Sequence, residues 1–82
     1  MNELTLYTTT WCPFCQRLTS DLDAAGVTYV NIDVAEDEAA GEWVKSVNDG
    51  NRIVPTVKYP DGSHATNPRA RAVMRKLDEL AG

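Results

Sequence analysis

Cys12 and Cys15 are the only cysteines in the chain and stand two residues apart in Trp11-Cys12-Pro13-Phe14-Cys15. Two thiols at that spacing can form a disulfide reversibly, and so can accept and return two electrons. The apolar run Leu4-Thr5-Leu6-Tyr7-Thr8 precedes them and reads as a strand. A strand that ends in a loop carrying Cys-x-x-Cys and then turns into a helix places the first sulfur at a helix N-terminus. There, unpaired backbone N–H groups and the helix dipole favour a thiolate over a thiol. Cys12 is therefore the expected nucleophile, with an exposed sulfur. Cys15, one turn inside on the apolar side, is expected to be more buried and less reactive. The single histidine, His64, is distant in sequence, and two cysteines with it fall short of a four-ligand zinc site.

The elements that must position this pair follow from periodicity. Leu4 to Thr8 alternates as a strand does. From Cys12 the spacing lengthens, so that Cys15, Leu18, Leu22 and Ala25 share one helical face. Pro13 suits the first helical turn and Gly26 its end. Val27 to Val34 reads as a second strand, parallel to the first because a helix connects them. The acidic segment Glu36-Asp37-Glu38 opens a second helix with Ala40, Trp43, Val44 and Val47 on its apolar side, and Asn48-Asp49-Gly50-Asn51 closes it. Ile53 to Tyr59 is a third strand. Tyr59-Pro60-Asp61-Gly62 turns it into a short antiparallel fourth, Ser63 to Thr66. Asn67-Pro68 reads as an N-cap with proline at the first helical position, opening a helix with Ala70, Val73, Leu77 and Leu80 on one side. The expected fold class is α/β, ordered β-α-β-α-β-β-α, with a four-stranded mixed sheet and three helices.

Composition bounds the partners. The 82 residues leave room for one domain, residues 1–82. A formal net charge of −4 speaks against nucleic-acid binding, which needs a basic face. No stretch approaches the ~18 apolar residues of a membrane span. Met1-Asn2-Glu3-Leu4 has neither the basic nor the apolar region of a secretory signal, so the chain is expected in the cytoplasm. In that compartment a Cys-x-x-Cys is more often catalytic or metal-binding than structural.

Pro55 is the second informative residue. A proline in a central strand loses a ladder bond, so it belongs at a strand start, an edge or a bulge. From composition alone a trans bond is the default, since only about 5–6% of X–Pro bonds are cis. A cis bond would turn the Val54 backbone outward, leaving its N–H and C=O to pair with an extended thiol ligand as an added strand does.

Trp11-Cys12-Pro13-Phe14-Cys15 after strand one, with Ile53-Val54-Pro55-Thr56 opening strand three, resembles the thioredoxin superfamily, and the Cys-Pro-aromatic-Cys filling resembles glutaredoxins. The resemblance covers nearly the whole chain and implies that the Val54-Pro55 bond is cis. More narrowly, Tyr7-Thr8-Thr9-Thr10-Trp11-Cys12, Asn48 to Lys58 and Asp61 to Pro68 resemble the mycoredoxins of actinobacteria, which use mycothiol where glutaredoxins use glutathione. Many glutaredoxins carry a lysine three residues before the first cysteine, whereas this chain has Thr9. Their Gly-Gly and acidic pair are replaced by Ala65-Thr66-Asn67-Pro68. Glutathione, with two carboxylates and an ammonium, needs charged receivers. The neutral sugar thiol suits hydroxyl and amide groups.

The resemblance implies a thiol–disulfide oxidoreductase that removes mycothiol from protein mixed disulfides through Cys12, and that forms a redox disulfide between Cys12 and Cys15. Mycothiol would be the reducing co-substrate, and S-mycothiolated proteins the partners. Mycothiol disulfide reductase with NADPH would recycle the product. No bound cofactor or metal is implied, and a monomer is expected. Trp11, Pro13, Phe14, Arg52, Val54, Pro55, Thr66 and Asn67 are the candidate thiol-binding residues. Trp11 equally fits packing, Arg52 a solvated surface and Asn67 a plain helix cap, while Tyr7 and Trp43 read as packing residues. Two other readings remain. One is a small redoxin reduced by thioredoxin reductase and serving ribonucleotide reductase, whose arginine–proline segment before the last helix is absent here. The other is an iron–sulfur carrier sharing a cluster between two chains through Cys12, which Pro13 disfavours in that family.

Overall fold

The computed structural model describes residues 3–82, so Met1 and Asn2, on which the reading of the chain start partly rests, lie outside the described residues. The elements run β1 (Thr5–Thr8), α1 (Pro13–Ala24), β2 (Val30–Asp33), α2 (Glu38–Ser46), β3 (Thr56–Lys58), β4 (His64–Thr66) and α3 (Ala70–Ala81), in the expected order. The sheet order is β2-β1-β3-β4. β1 pairs parallel with β2 and antiparallel with β3, which pairs antiparallel with β4.

The apolar core lies in two patches. Leu4, Leu6, Leu18, Leu22, Val57 and Val73 form one, joining the sheet to α1 and α3. Tyr7, Val34, Ala40 and Val44 form the other, under α2. The sheet is therefore covered on both sides, and β1 supplies alternate residues to the two patches. Each fully buried Leu or Val contributes about 1.5–3 kcal/mol by transfer from water. α1 begins with Pro13 in the first helical turn, where no N–H is required. Its stop is Gly26, at φ +74°, a conformation that glycine adopts without steric cost. The Asp37 carboxylate caps α2 by accepting the Ala40 N–H at 3.0 Å. No helix of the described residues is long and apolar enough to cross a membrane.

Several boundaries differ from the sequence reading, most by one residue and three by more. β2 begins at Val30 and not at Val27, because the Val27 N–H first bonds back to Leu22 O at 3.0 Å. β3 begins at Thr56 and not at Ile53, because the Thr56 hydroxyl donates to Ile53 O at 2.7 Å and closes a turn around Pro55. Pro55 thus stands at a strand start, where no ladder bond is lost. Asn67 is not the cap of α3. It lies at φ +49° and donates its backbone N–H to Pro55 O at 2.7 Å, and the N-cap position falls to Arg69, with no side-chain cap bond. Ala25 is exposed at the end of α1 and adds nothing to the core.

Candidate active site

β1 ends at Thr8, and four residues carry the chain to α1. Cys12 N–H donates to Thr9 O at 3.4 Å, and the Gln16 side-chain amide donates to Thr10 O at 3.0 Å, so the loop is held from both ends. Cys12 is the N-cap of α1, and its sulfur takes the capping role by accepting the Cys15 N–H at 3.1 Å. On the other side, the Cys12 thiol donates to Val54 O at 3.9 Å. The sulfur therefore has one partner suited to a thiolate and one suited to a thiol.

Both cysteines are free thiols. The expectation of an exposed Cys12 sulfur is corrected: the residue is 7% exposed against 2% for Cys15. The Val54–Pro55 loop lies over it, a contact between residues 42 apart in the chain. Chemistry separates the two thiols more than exposure does. Burial, and secondly a hydrogen bond with Cys12, pushes the Cys15 thiol up to about 12, so Cys15 stays protonated at neutral pH.

The Val54-Pro55 bond is cis. The segment around it is stitched by a network that sequence reasoning missed. The Asn48 amide donates to Val44 O at 2.8 Å and to Thr56 Oγ1 at 3.2 Å, and its oxygen accepts the Thr66 hydroxyl at 2.6 Å. Asn48 thereby ties the end of α2 to β3 and β4. In sequence, Asn before Asp-Gly reads as turn chemistry, which masks this role. Thr66, a candidate contact for the thiol, has its proton committed to Asn48. Asn67 is brought beside Pro55, with its side chain exposed.

Trp11 and Phe14 are 69% and 60% exposed, which overturns packing for Trp11 and agrees with an outward Phe14. Arg52 is exposed, and its guanidinium lies against Gly41 of α2, where a Cβ would come within 3.1 Å of Nη2. Thr9, where many glutaredoxins have lysine, is buried with its hydroxyl unpartnered among the described residues. Tyr7 and Trp43 pack together with ring centroids 4.7 Å apart, and His64 sits edge-on to Trp43 at 6.2 Å. Among the described residues no three His, Cys, Asp or Glu side chains are grouped as a metal site would need.

Comparison with known proteins agrees with this geometry. The family model described as Glutaredoxin matches residues 4–65. The chain is 60% identical over 81 residues to Mycoredoxin 1 of Corynebacterium glutamicum, covering 99% of this chain and all of that protein. Among solved structures it is similar to a glutaredoxin of Archaeoglobus fulgidus, with a TM-score of 0.72 and 26% identity over 92% of this chain and 85% of that one. A buckwheat glutaredoxin–glutathione complex gives a TM-score of 0.67 and 26% identity over 95% of this chain and 70% of the other. A cysteine pair at the start of α1, facing the backbone before a proline on a thioredoxin-like sheet, is the arrangement of a thiol–disulfide oxidoreductase, and the chain belongs to the glutaredoxin family.

Proposed function

We propose that the protein reduces mixed disulfides between mycothiol and protein cysteines in the cytoplasm, with Cys12 as the nucleophile and mycothiol as the electron donor. The observation that carries this reading is the position of Cys12 Sγ, between the Cys15 N–H at 3.1 Å and the Val54 carbonyl at 3.9 Å. A negative charge on that sulfur keeps the N–H as its partner, while the Val54 backbone remains beside it to meet an extended thiol.

In the first step the Cys12 thiolate attacks the mycothiol sulfur of the mixed disulfide. The bond between that sulfur and the protein breaks, the protein thiolate leaves with the electron pair and takes a proton, and Cys12 is left joined to mycothiol. A second mycothiol, as thiolate, attacks the same mycothiol sulfur and releases Cys12. The product is mycothiol disulfide, which mycothiol disulfide reductase returns to mycothiol with electrons from NADPH. Cys15 takes no part in that cycle. It can instead attack Cys12 Sγ in the Cys12–mycothiol disulfide, which expels mycothiol as the thiolate and closes the Cys12–Cys15 disulfide, at the cost of removing a proton from a thiol held at about 12.

Selection of mycothiol over glutathione rests on what receives the thiol. The buried Thr9 offers no cation to a carboxylate, and Ala65-Thr66-Asn67-Pro68, which stands in sequence for a Gly-Gly and acidic pair, offers no carboxylate to an ammonium. Trp11, Pro13 and Phe14 flank Cys12 in the chain, and Val54, whose carbonyl lies 3.9 Å from its sulfur, is followed by Pro55 and stands two residues after Arg52. The test is the turnover of a mycothiolated model protein with mycothiol, mycothiol disulfide reductase and NADPH. Equal or faster turnover with glutathione and its reductase, or with thioredoxin reductase, would overturn the assignment of mycothiol.

A further inference from the structure

A cleft of about 580 Å³ runs between α1 and the start of α3. Phe14, Arg17, Leu18 and Asp21 line it from one face of α1, at the three- and four-residue spacings that bring side chains together on a helix. The opposite wall is Asn67 through Arg71, and the buried side chains of Leu18 and Ala70 form its floor. The cleft opens at Phe14, two residues from Cys12, and runs away from the sulfur along α1.

Its charge runs against that of the chain. Arg17, Arg69 and Arg71 face a single carboxylate, Asp21, on a protein whose formal net charge is −4. All three arginines are exposed, and none makes a salt bridge among the described residues. A neutral sugar thiol has no use for them. Guanidinium groups pair with carboxylates through two parallel hydrogen bonds, more specifically than an ammonium can.

We infer that this cleft seats an acidic stretch of the protein substrate, next to the cysteine whose mixed disulfide Cys12 opens. The inference rests on Cys12 as the attacking group and, because a neutral small thiol leaves the arginines free, on the proposed function. Exposed charges of this kind act mainly on the association rate and lose their effect as salt rises, because screening shortens to about 10 Å at 0.1 M.

The test uses two cysteinyl peptides, one flanked by aspartates and one by lysines, each as a mixed disulfide with 2-nitro-5-thiobenzoate. The Cys12 thiolate attacks the peptide sulfur and the aryl–peptide disulfide breaks. A Cys12–peptide disulfide forms, and the yellow aryl thiolate leaves with the electron pair. At low salt the acidic peptide is expected to react about threefold faster or more. The ratio should fall towards one at high salt and in Arg17→Ser/Arg71→Ser. Alkylation of Cys12 by uncharged iodoacetamide should stay unchanged in that double variant, which separates lost charge from a damaged fold. Equal rates for both peptides in the parent, or a preference that survives in the double variant, would overturn the inference. Loss of the preference to inorganic phosphate at constant ionic strength would assign the cleft to a small anion and overturn it too. So would self-association in sedimentation that the double variant abolishes, by assigning the cleft to a second copy of the chain. Failure of both peptides to release the aryl thiolate would overturn the role of Cys12 itself, and this inference with it.

Discussion

The two walls that meet at Cys12 are made of different material. One is the Val54–Pro55 loop, where the sulfur faces a backbone carbonyl at 3.9 Å and the support is amide and hydroxyl hydrogen bonding through Asn48, Thr56 and Thr66. Its guanidinium, Arg52, lies back against Gly41. The other is the α1–α3 cleft, where Arg17, Arg69 and Arg71 face outward from two helices. Backbone groups present the same donor and acceptor to any extended thiol, whereas unpaired guanidinium groups discriminate by charge. The difference suggests a division of labour: the first wall orients the sulfur–sulfur attack, and the second selects whose sulfur arrives.

The largest expected effect tests the point where the walls meet. Cys12→Ser should abolish thiol transfer, while Cys15→Ser keeps most of the turnover on mycothiol mixed disulfides. If Cys15→Ser were equally inactive in that assay, a two-cysteine cycle would replace the one argued here.

The raised Cys15 thiol sharpens the contrast through pH. Iodoacetamide should label Cys12 about a hundredfold faster than Cys15 at neutral pH, by peptide mass spectrometry. Labelling of Cys15 should climb about tenfold per pH unit and level off only near its folded value. Stability carries the same signature. Folding moves this thiol from its ordinary 9.0 up to about 12, so above 9 the unfolded chain loses the Cys15 proton while the folded one keeps it. The contribution is complete below 9 and is lost as pH rises towards 12. Melting temperature in that window should therefore fall more steeply for the parent than for Cys15→Ala. Parallel curves would contradict the assignment.

Asn48→Ala breaks one wall and spares the other. It leaves Val44 O without its amide partner and the Thr66 hydroxyl without its acceptor, and should lower stability by about 1–3 kcal/mol in urea unfolding. The charge preference between acidic and basic peptides should persist. If the preference vanished in the folded variant, the walls would not be separable.

The smallest effect concerns Arg52. A Cβ at Gly41 would stand 3.1 Å from Arg52 Nη2, so Gly41→Ala should displace the guanidinium by a few tenths of an ångström. If Arg52 holds the small thiol, its KM should rise by about twofold, with the peptide charge preference unaltered. An unchanged KM would remove Arg52 from the thiol site.

What the sequence determined by itself is local in origin. Spacing at Cys12, Cys15, Leu18 and Leu22, with Pro13 and Gly26 as start and stop, is sufficient to place a helix and to put the first sulfur at its N-terminus, because capping and amphipathic burial act within a few turns. The parallel β1–β2 pair and the antiparallel β3–β4 pair followed from connection lengths and from the turn at Tyr59 to Gly62, whereas the order β2-β1-β3-β4, with β3 antiparallel to β1, came only with the assembled sheet. The tertiary structure decided what depends on partners distant in the chain. Cys12 is buried because Val54, 42 residues on, lies over it. Asn67 leaves the helix-cap role because its N–H is drawn to Pro55 O. Asn48 ceases to be a turn residue because Thr56 and Thr66 converge on its amide. The three arginines become one cleft only when α1 and α3 pack side by side over Leu18 and Ala70. A side chain's hydrogen-bond partner across the fold leaves no periodicity in its own neighbourhood, so such roles become visible only when the elements are assembled.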